Sequence, residues 1–115
     1  MQIKLLKSKI HRATVTDANL DYEGSIAIDE SLIEAAGLHL YEKVHILDIT
    51  NGSRVETYVI KAPAGSKSIC INGAAAHLIK PRDQVIIISY CSLGNDEVLN
   101  YKPTIIKVNN HNQII

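Results

Sequence analysis

The chain has 115 residues, a formal net charge of zero (12 Lys plus Arg against 12 Asp plus Glu) and two cysteines. That length favours one domain, with a core that needs neither metal nor disulfide staples, and the balanced charge lacks the basic surplus of a nucleic-acid binder. Apolar residues make up 46% of the chain without any Phe or Trp, so 18 Ile, 10 Leu and 7 Val must build the core, an excess of β-branched residues that points to a small β-rich globule.

Near the N-terminus, Ile3 and Leu5 alternate with Gln2 and Lys4, which predicts an opening strand. A second strand is expected over Lys9 to Thr16, with Lys9, His11 and Ala13 on one face. Asp17 to Gly24 is polar and turn-rich, and Ser25 to Ile28 reads as a strand again. Asp29 is placed to cap a short helix ending at Ala36, with Gly37 to terminate it. Val44 to Ile49 and Arg54 to Lys61 predict a hairpin around Asn51 and Gly52, both of which tolerate positive φ. Beyond Pro63 and Gly65, Ser68 to Ile71 forms a short strand, and Asn72 is placed to cap a helix through Ala74, Ala75 and Ala76. Val85 to Tyr90 is a nearly continuous apolar run, as in a strand buried on both faces. A turn at Gly94 to Asp96, a last strand at Thr104 to Val108 and an edge or frayed tail complete the chain. No run approaches transmembrane length and no long apolar leader precedes the first strand, so no membrane association and a cytoplasmic location are expected. Cys70 and Cys91, each inside an apolar strand, are expected to be buried thiols, with a metal-binding or catalytic role as the alternative.

Ser25-Ile26-Ala27-Ile28-Asp29 resembles Ser68-Ile69-Cys70-Ile71-Asn72, and each is followed by an alanine-rich helix and a hydrophobic strand. Such an internal repeat predicts a compact, pseudo-two-fold barrel that closes its sheet edges.

Four places carry candidate chemistry. At Tyr22-Glu23-Gly24-Ser25, a glycine without a Cβ leaves its carbonyl open to the next residue's hydroxyl, as a peptide-bond rearrangement requires; an ordinary loop is the alternative. On the strand at Arg54, alternation puts Arg54, Glu56 and Tyr58 on one face and Val55, Thr57 and Val59 on the other. A guanidinium beside a phenol suits an anionic ligand that needs a proton, and a solvated face is the alternative. Asn72-Gly73-Ala74-Ala75-Ala76 leaves backbone N–H groups unshielded, as an oxyanion or carboxylate site requires, or else packs tightly on a small core. Lys9 and His11 form the fourth pair, with a surface lysine beside a polar histidine as the alternative.

Taken together, Lys9-Ile10-His11-Arg12, Tyr22-Glu23-Gly24-Ser25, Thr50-Asn51-Gly52, Arg54, Thr57-Tyr58 and Asn72 to His77 resemble the bacterial aspartate 1-decarboxylase family over essentially the whole chain. One departure is Arg82 before Asp83, where the family commonly has glycine.

The resemblance implies a six-stranded double-psi β-barrel made as a single-domain proenzyme. It implies that Ser25 attacks the Gly24 carbonyl, splitting the chain into residues 1–24 and 25–115 and converting Ser25 to a pyruvoyl group. Thr57 would stabilise the oxyanion, with Tyr22, Glu23 and His11 in support. The pyruvoyl ketone, with no metal and no pyridoxal phosphate, would form a Schiff base with L-aspartate and yield β-alanine for pantothenate and coenzyme A. Tyr58 would donate the proton; Lys9 and Arg54 would hold carboxylates, and Thr57, Asn72, Gly73, Ala74 and Ala75 would complete the substrate site. Alternation places Thr57 opposite Tyr58, so a shared site calls for a bulge or a neighbouring subunit, and the resemblance implies a homotetramer with sites between subunits. It leaves open a maturation factor. The competing reading is a catalytically silent barrel acting as a binding module.

Overall fold

A computed structural model describes residues 1–115 as nine strands, one α-helix and one 3-10 helix. The strands form a five-stranded sheet in the order β5-β4-β8-β1-β9 and a four-stranded sheet in the order β2-β7-β3-β6. β1 (Gln2–Thr14) is one long strand where two were expected, pairing antiparallel with β8 (Gln84–Gly94) and parallel with β9 (Thr104–Lys107). Its register with β8 slips between Ile10 and Ala13, where Arg12 takes a φ of 65°. A bulge adds a residue to one strand and re-aims its side chains, so Ile10 and Ala13 are both buried and strict alternation along Lys9, His11 and Ala13 does not hold.

Six strands were expected and nine are found, for a local reason. β1 and β2 (Asp17–Asn19) are one course of chain interrupted at Val15, whose N–H donates to the Asp83 carbonyl and whose carbonyl accepts from Arg82. β5 (Arg54–Tyr58) and β6 (Ile60–Ala62) are likewise one course, interrupted at Val59, whose backbone bonds to Tyr41 and Glu42. At both breaks the chain passes from one sheet to the other. With these joined to β3 (Ala27–Asp29), β4 (Lys43–Asp48), β7 (Ile69–Asn72) and β8, six barrel strands remain, and β9 is added at the edge of β1.

The repeat is realised as a pseudo-two-fold. Ala27 and Cys70 occupy the same place in the two copies, and they are register partners in the antiparallel β3–β7 pair. β2 pairs parallel with β7, and β6 pairs parallel with β3, again in equivalent places. These two interlocked crossings give the double-psi arrangement.

α1 (Glu30–Ala36) starts at Asp29, whose carboxylate accepts from the Ser31 N–H, and ends at Gly37 with a left-handed φ of 71°. Asp29 also accepts from the Gly65 and Lys67 N–H groups, so one buried carboxylate ties the helix start to the loop before β7. Burial pushes its pKa up, but the hydrogen bonds from Ser31, Lys67 and Gly65 outweigh that and hold it below the ordinary value. In the β4–β5 connection only Gly52 takes positive φ, not Asn51. Asn72 does not cap with its side chain, and the following element is a 3-10 helix, Gly73–His77.

The core is built mainly from isoleucine and valine, with alanine and two leucines filling in, and Ile10, Ile26, Ile28, Ile46, Ile69, Ile71, Ile79, Val44 and Val59 are wholly buried. β8 is less enclosed than expected, since Ile86 is half-buried and Tyr90 exposed. The tail is an ordered edge: Asn112 is buried, and its side chain bonds to Thr14 and to the Lys67 carbonyl. Both cysteines are unpaired and half-buried rather than buried, and burial raises the Cys70 thiol pKa.

Candidate active site

The end of β5 runs across the junction between the polar loop and β3, and everything at the site follows from that crossing. The Ser25 carbonyl accepts from the Thr57 hydroxyl at 2.6 Å and from the Tyr58 N–H at 3.1 Å. The Ile26 N–H donates back to the Tyr58 carbonyl. Ser25 is 5% exposed, and its Oγ accepts from the Asn72 N–H at 3.3 Å. Residue 25 is thus held on its carbonyl and its hydroxyl by two different strands.

Gly24 has a φ of +78°, in the left-handed region that a side chain disfavours. A methyl group there would lie 2.9 Å from the Tyr58 hydroxyl and 3.6 Å from Ile60 Cδ1. The Tyr58 side chain therefore lies directly over Gly24. Across the junction, Gly73 also takes positive φ, 68°, and a Cβ there would face the Tyr22 carbonyl at 3.6 Å.

A cavity of about 260 Å³ opens in front of this junction. Its lining includes Gly24, Ser25, Thr57, Tyr58, Asn72, Gly73, Ala74 and Ala75, so most of the expected site converges within one chain. Thr57 and Tyr58 share the cavity without a bulge or a second subunit, contrary to the expectation from alternation. The reason is that Tyr58 is the last residue of β5 before the chain leaves the sheet, and its backbone bonds to Ser25 and Ile26, just ahead of β3 in the other sheet. Thr57 Oγ1 contacts the Ser25 carbonyl, one peptide beyond the Gly24 carbonyl that an oxyanion role addresses.

The remaining expected residues lie apart from this cavity. Tyr22 and Glu23 are exposed and line a second cavity, of about 540 Å³, on the other side of the loop with Asp17, Lys61 and Cys70. Arg54 is exposed on β5, on the same face as Tyr58. Lys9 is on β1, and β4 and β8 stand between it and Arg54; three strand spacings of ~4.8 Å put the two backbones about 14 Å apart. His11 sits beside Lys107 in the β1–β9 pair, with Nδ1 buried and unpartnered. Burial, and then the charges of Lys9, Arg12 and Lys107, keep its pKa below the ordinary histidine value.

Glu56 also lines the cavity, and nothing local in the sequence singles it out beside Arg54 and Tyr58, whose face it shares. Its carboxylate is paired with Lys43 at 3.2 Å, which, with His45, lowers its pKa. The cavity wall of a single chain thus offers one anion and no cation. No group of three or more His, Cys, Asp or Glu side chains is placed to hold a metal ion, and no helix is long and apolar enough to cross a membrane.

The family model described as aspartate decarboxylase matches residues 1–115. An aspartate 1-decarboxylase of Corynebacterium efficiens is 60% identical over 111 residues, covering 96% of this chain and 82% of the relative. One from Caldicellulosiruptor bescii is 56% identical over 115 residues, covering 100% of this chain and 90% of the relative. One from Campylobacter hominis is also 56% identical over 115 residues, covering 100% of this chain and 99% of the relative.

Proposed function

The chain belongs to the aspartate decarboxylase family and decarboxylates aspartate, and we propose that it does so through a pyruvoyl group made from its own Ser25 after cleavage of the Gly24–Ser25 bond. The observation that carries this reading is the clamp on residue 25: a buried serine gripped at carbonyl and hydroxyl, next to a left-handed glycine, at the floor of a small cavity. An ordinary loop has no need of these constraints, and a silent binding barrel would not place them at the back of a cavity.

In the maturation step, Ser25 Oγ adds to the Gly24 carbonyl carbon and the amide becomes an ester. Elimination across the Cα–Cβ bond of residue 25 then releases Gly24 as a carboxylate, and water replaces the nitrogen of residue 25, which leaves as ammonia. The absence of a side chain at Gly24 leaves its carbonyl accessible, while the Asn72 N–H orients the attacking hydroxyl. The Thr57 hydroxyl, which donates to the Ser25 carbonyl beside the reacting peptide, serves the oxyanion once the Gly24 carbonyl turns tetrahedral.

The fixed position of residue 25 fits a ketone built there. When formed, that group supplies the electron sink that loss of carbon dioxide from an α-amino acid demands. The chain's own residues do the rest. Tyr58, with its hydroxyl over the Gly24 position, is set to deliver a proton to the substrate α carbon. Gly73, Ala74 and Ala75 shape the opposite wall so that a small substrate lies close to backbone. Arg54, exposed on β5 on the same face as Glu56 and Tyr58, takes a carboxylate of L-aspartate.

A dicarboxylate needs a second cation, and the single chain offers none at the cavity. Lys9 is too far from Arg54 on its own sheet to converge with it, so the Lys9 that completes the site comes from another copy, in a homotetramer with sites between subunits. The product, β-alanine, would serve pantothenate synthesis, and the two unpaired thiols suit a reducing cytoplasm. The test is Ser25→Ala: the protein is expected to remain one intact chain and to release no carbon dioxide from aspartate. Carbon dioxide release by that variant would overturn the mechanism.

A further inference from the structure

Asp48 ends β4 and is 3% exposed. One of its oxygens accepts from the Thr50 N–H at 2.8 Å and the Asn51 N–H at 3.1 Å. The other, Oδ2, is buried with no hydrogen-bond donor. An acceptor buried without a donor carries its full desolvation cost. A second carboxyl, that of Asp83 in the turn ahead of β8, lies within hydrogen-bond reach of the Asp48 carboxyl. Asp83 Oδ2 accepts from the Lys80 N–H at 3.0 Å.

The groups facing the pair offer no cation. Neither carboxyl is in an ion pair; the Lys80 ammonium is bonded to the Ala76 carbonyl, and Arg82 is exposed. The residues paired or hydrogen-bonded with these turns, Gln84 and Val85 of β8 and Thr50, Asn51 and Ser53 of the β4–β5 turn, are all uncharged. Two ionised carboxylates in contact repel, whereas one proton between them turns the orphaned oxygen into a donor.

The two turns are also stitched on either side of this contact. Asn51 Nδ2 donates to the Leu78 carbonyl at 2.8 Å, and the Gln84 N–H donates to Thr50 Oγ1 at 3.0 Å. One turn leads into β5, which carries Arg54, Thr57 and Tyr58; the other closes the segment of the 3-10 helix, which carries Gly73, Ala74 and Ala75.

We propose that Asp48 and Asp83 share one proton, and that this acid–carboxylate hydrogen bond latches the two turns together and positions the two walls of the catalytic cavity. The effect on catalysis rests on the site reading above, while the latch itself does not. Burial, and then the hydrogen bond that protonated Asp48 donates to Asp83, raises the Asp48 pKa from 3.8 to about 6, roughly a hundredfold tighter proton binding. The folded chain keeps a proton that the unfolded chain releases. Stability therefore falls as pH rises from the ordinary carboxylate value through about 6, and stays lower above it.

Asp48→Asn keeps the acceptor oxygen for Thr50 and Asn51 and replaces the shared proton with a permanent N–H donor. The experiment follows the carboxyl carbon of Asp48 by NMR titration, and the thermal midpoint and the KM for aspartate of wild type and Asp48→Asn at about pH 5 and about pH 8. The Asp48 resonance is expected to titrate near 6. Wild type should lose several degrees of midpoint and gain severalfold in KM at the higher pH, with kcat little changed, whereas Asp48→Asn should be flat in both. Asp48→Ala, which also loses the acceptor, should be less stable than Asp48→Asn at both pH values. An Asp48 resonance titrating at or below the ordinary carboxylate value, parallel pH profiles in wild type and Asp48→Asn, or an Asp48→Ala protein equal to Asp48→Asn would each overturn the latch. A preparation that never turns over aspartate would count against the site reading alone, because the titration and the midpoints still judge the latch.

Discussion

Thr57→Val separates the stability role of the Thr57 hydroxyl from its chemical role. Valine keeps the branched Cβ that suits a half-buried strand position, so β5 is preserved and only the hydroxyl is lost. The Ser25 carbonyl still accepts from the Tyr58 N–H at 3.1 Å. It is therefore not orphaned, and the stability loss is that of one ordinary hydrogen bond, about 1 kcal/mol. Self-cleavage should respond far more strongly. A donor aimed at developing oxyanion charge is worth about 2.7–4 kcal/mol of barrier, or roughly a hundredfold to a thousandfold in rate. The assay is the time course of full-length chain converting to two fragments, read by denaturing mass spectrometry, with urea unfolding of unprocessed protein as the stability control. Thr57→Ser should process close to the wild-type rate, because it restores the oxygen. If Thr57→Val cleaves within a few-fold of wild type, the hydroxyl only holds the Ser25 carbonyl and the oxyanion must be served elsewhere.

Gly24→Ala places a methyl 2.9 Å from the Tyr58 hydroxyl at a φ of +78°; beyond about 1–2 kcal/mol of backbone strain, it should displace Tyr58 and abolish cleavage, as intact-mass analysis would show. Arg82 has a φ of 75° on an exposed turn, so Arg82→Gly should stabilise the fold by about 0.5–1 kcal/mol in urea unfolding; a loss would refute the strain argument. Asp29→Asn presents an amide N–H to a backbone N–H where a carboxylate oxygen accepted, and should cost about 2 kcal/mol. Because the folded Asp29 pKa lies below the unfolded value, its contribution is present above the ordinary carboxylate pKa and is lost as pH falls below it. Wild type should therefore lose stability at acid pH more steeply than Asp29→Asn does. Arg54→Ala should raise the KM for aspartate at least tenfold without moving the thermal midpoint, since the side chain is exposed and has no ion-pair partner; an unchanged KM would remove Arg54 from substrate binding.

What could be read in the sequence were features set by neighbours along the chain. Asp29 and Gly37 bracket α1 because capping and left-handed termination are local requirements of residue type. The two Ser-Ile-X-Ile strings predicted a pseudo-two-fold, and the pairing of Ala27 with Cys70 shows how directly the repeat becomes symmetry. What escaped was tertiary. No local signal marks the bulge that merges two short strands into β1, because Arg12 is not a residue type that advertises positive φ. Alternation assigns Thr57 and Tyr58 to opposite faces, and it is silent about where β5 leaves its sheet, which is the feature that brings both to residue 25. The contact of Asp48 with Asp83 joins turns far apart in the chain, and neither turn by itself suggests a shared proton. The distance between Lys9 and Arg54 is likewise invisible along the chain, because it is set by the two strands that stand between β1 and β5.

The central claim, that this chain makes its own catalytic group, is tested most directly by the intact mass of the purified protein under denaturing conditions. The account predicts two fragments dividing after Gly24, the larger lighter by one ammonia than a chain beginning with an unmodified Ser25. A single full-length mass in a preparation that turns over aspartate would contradict it.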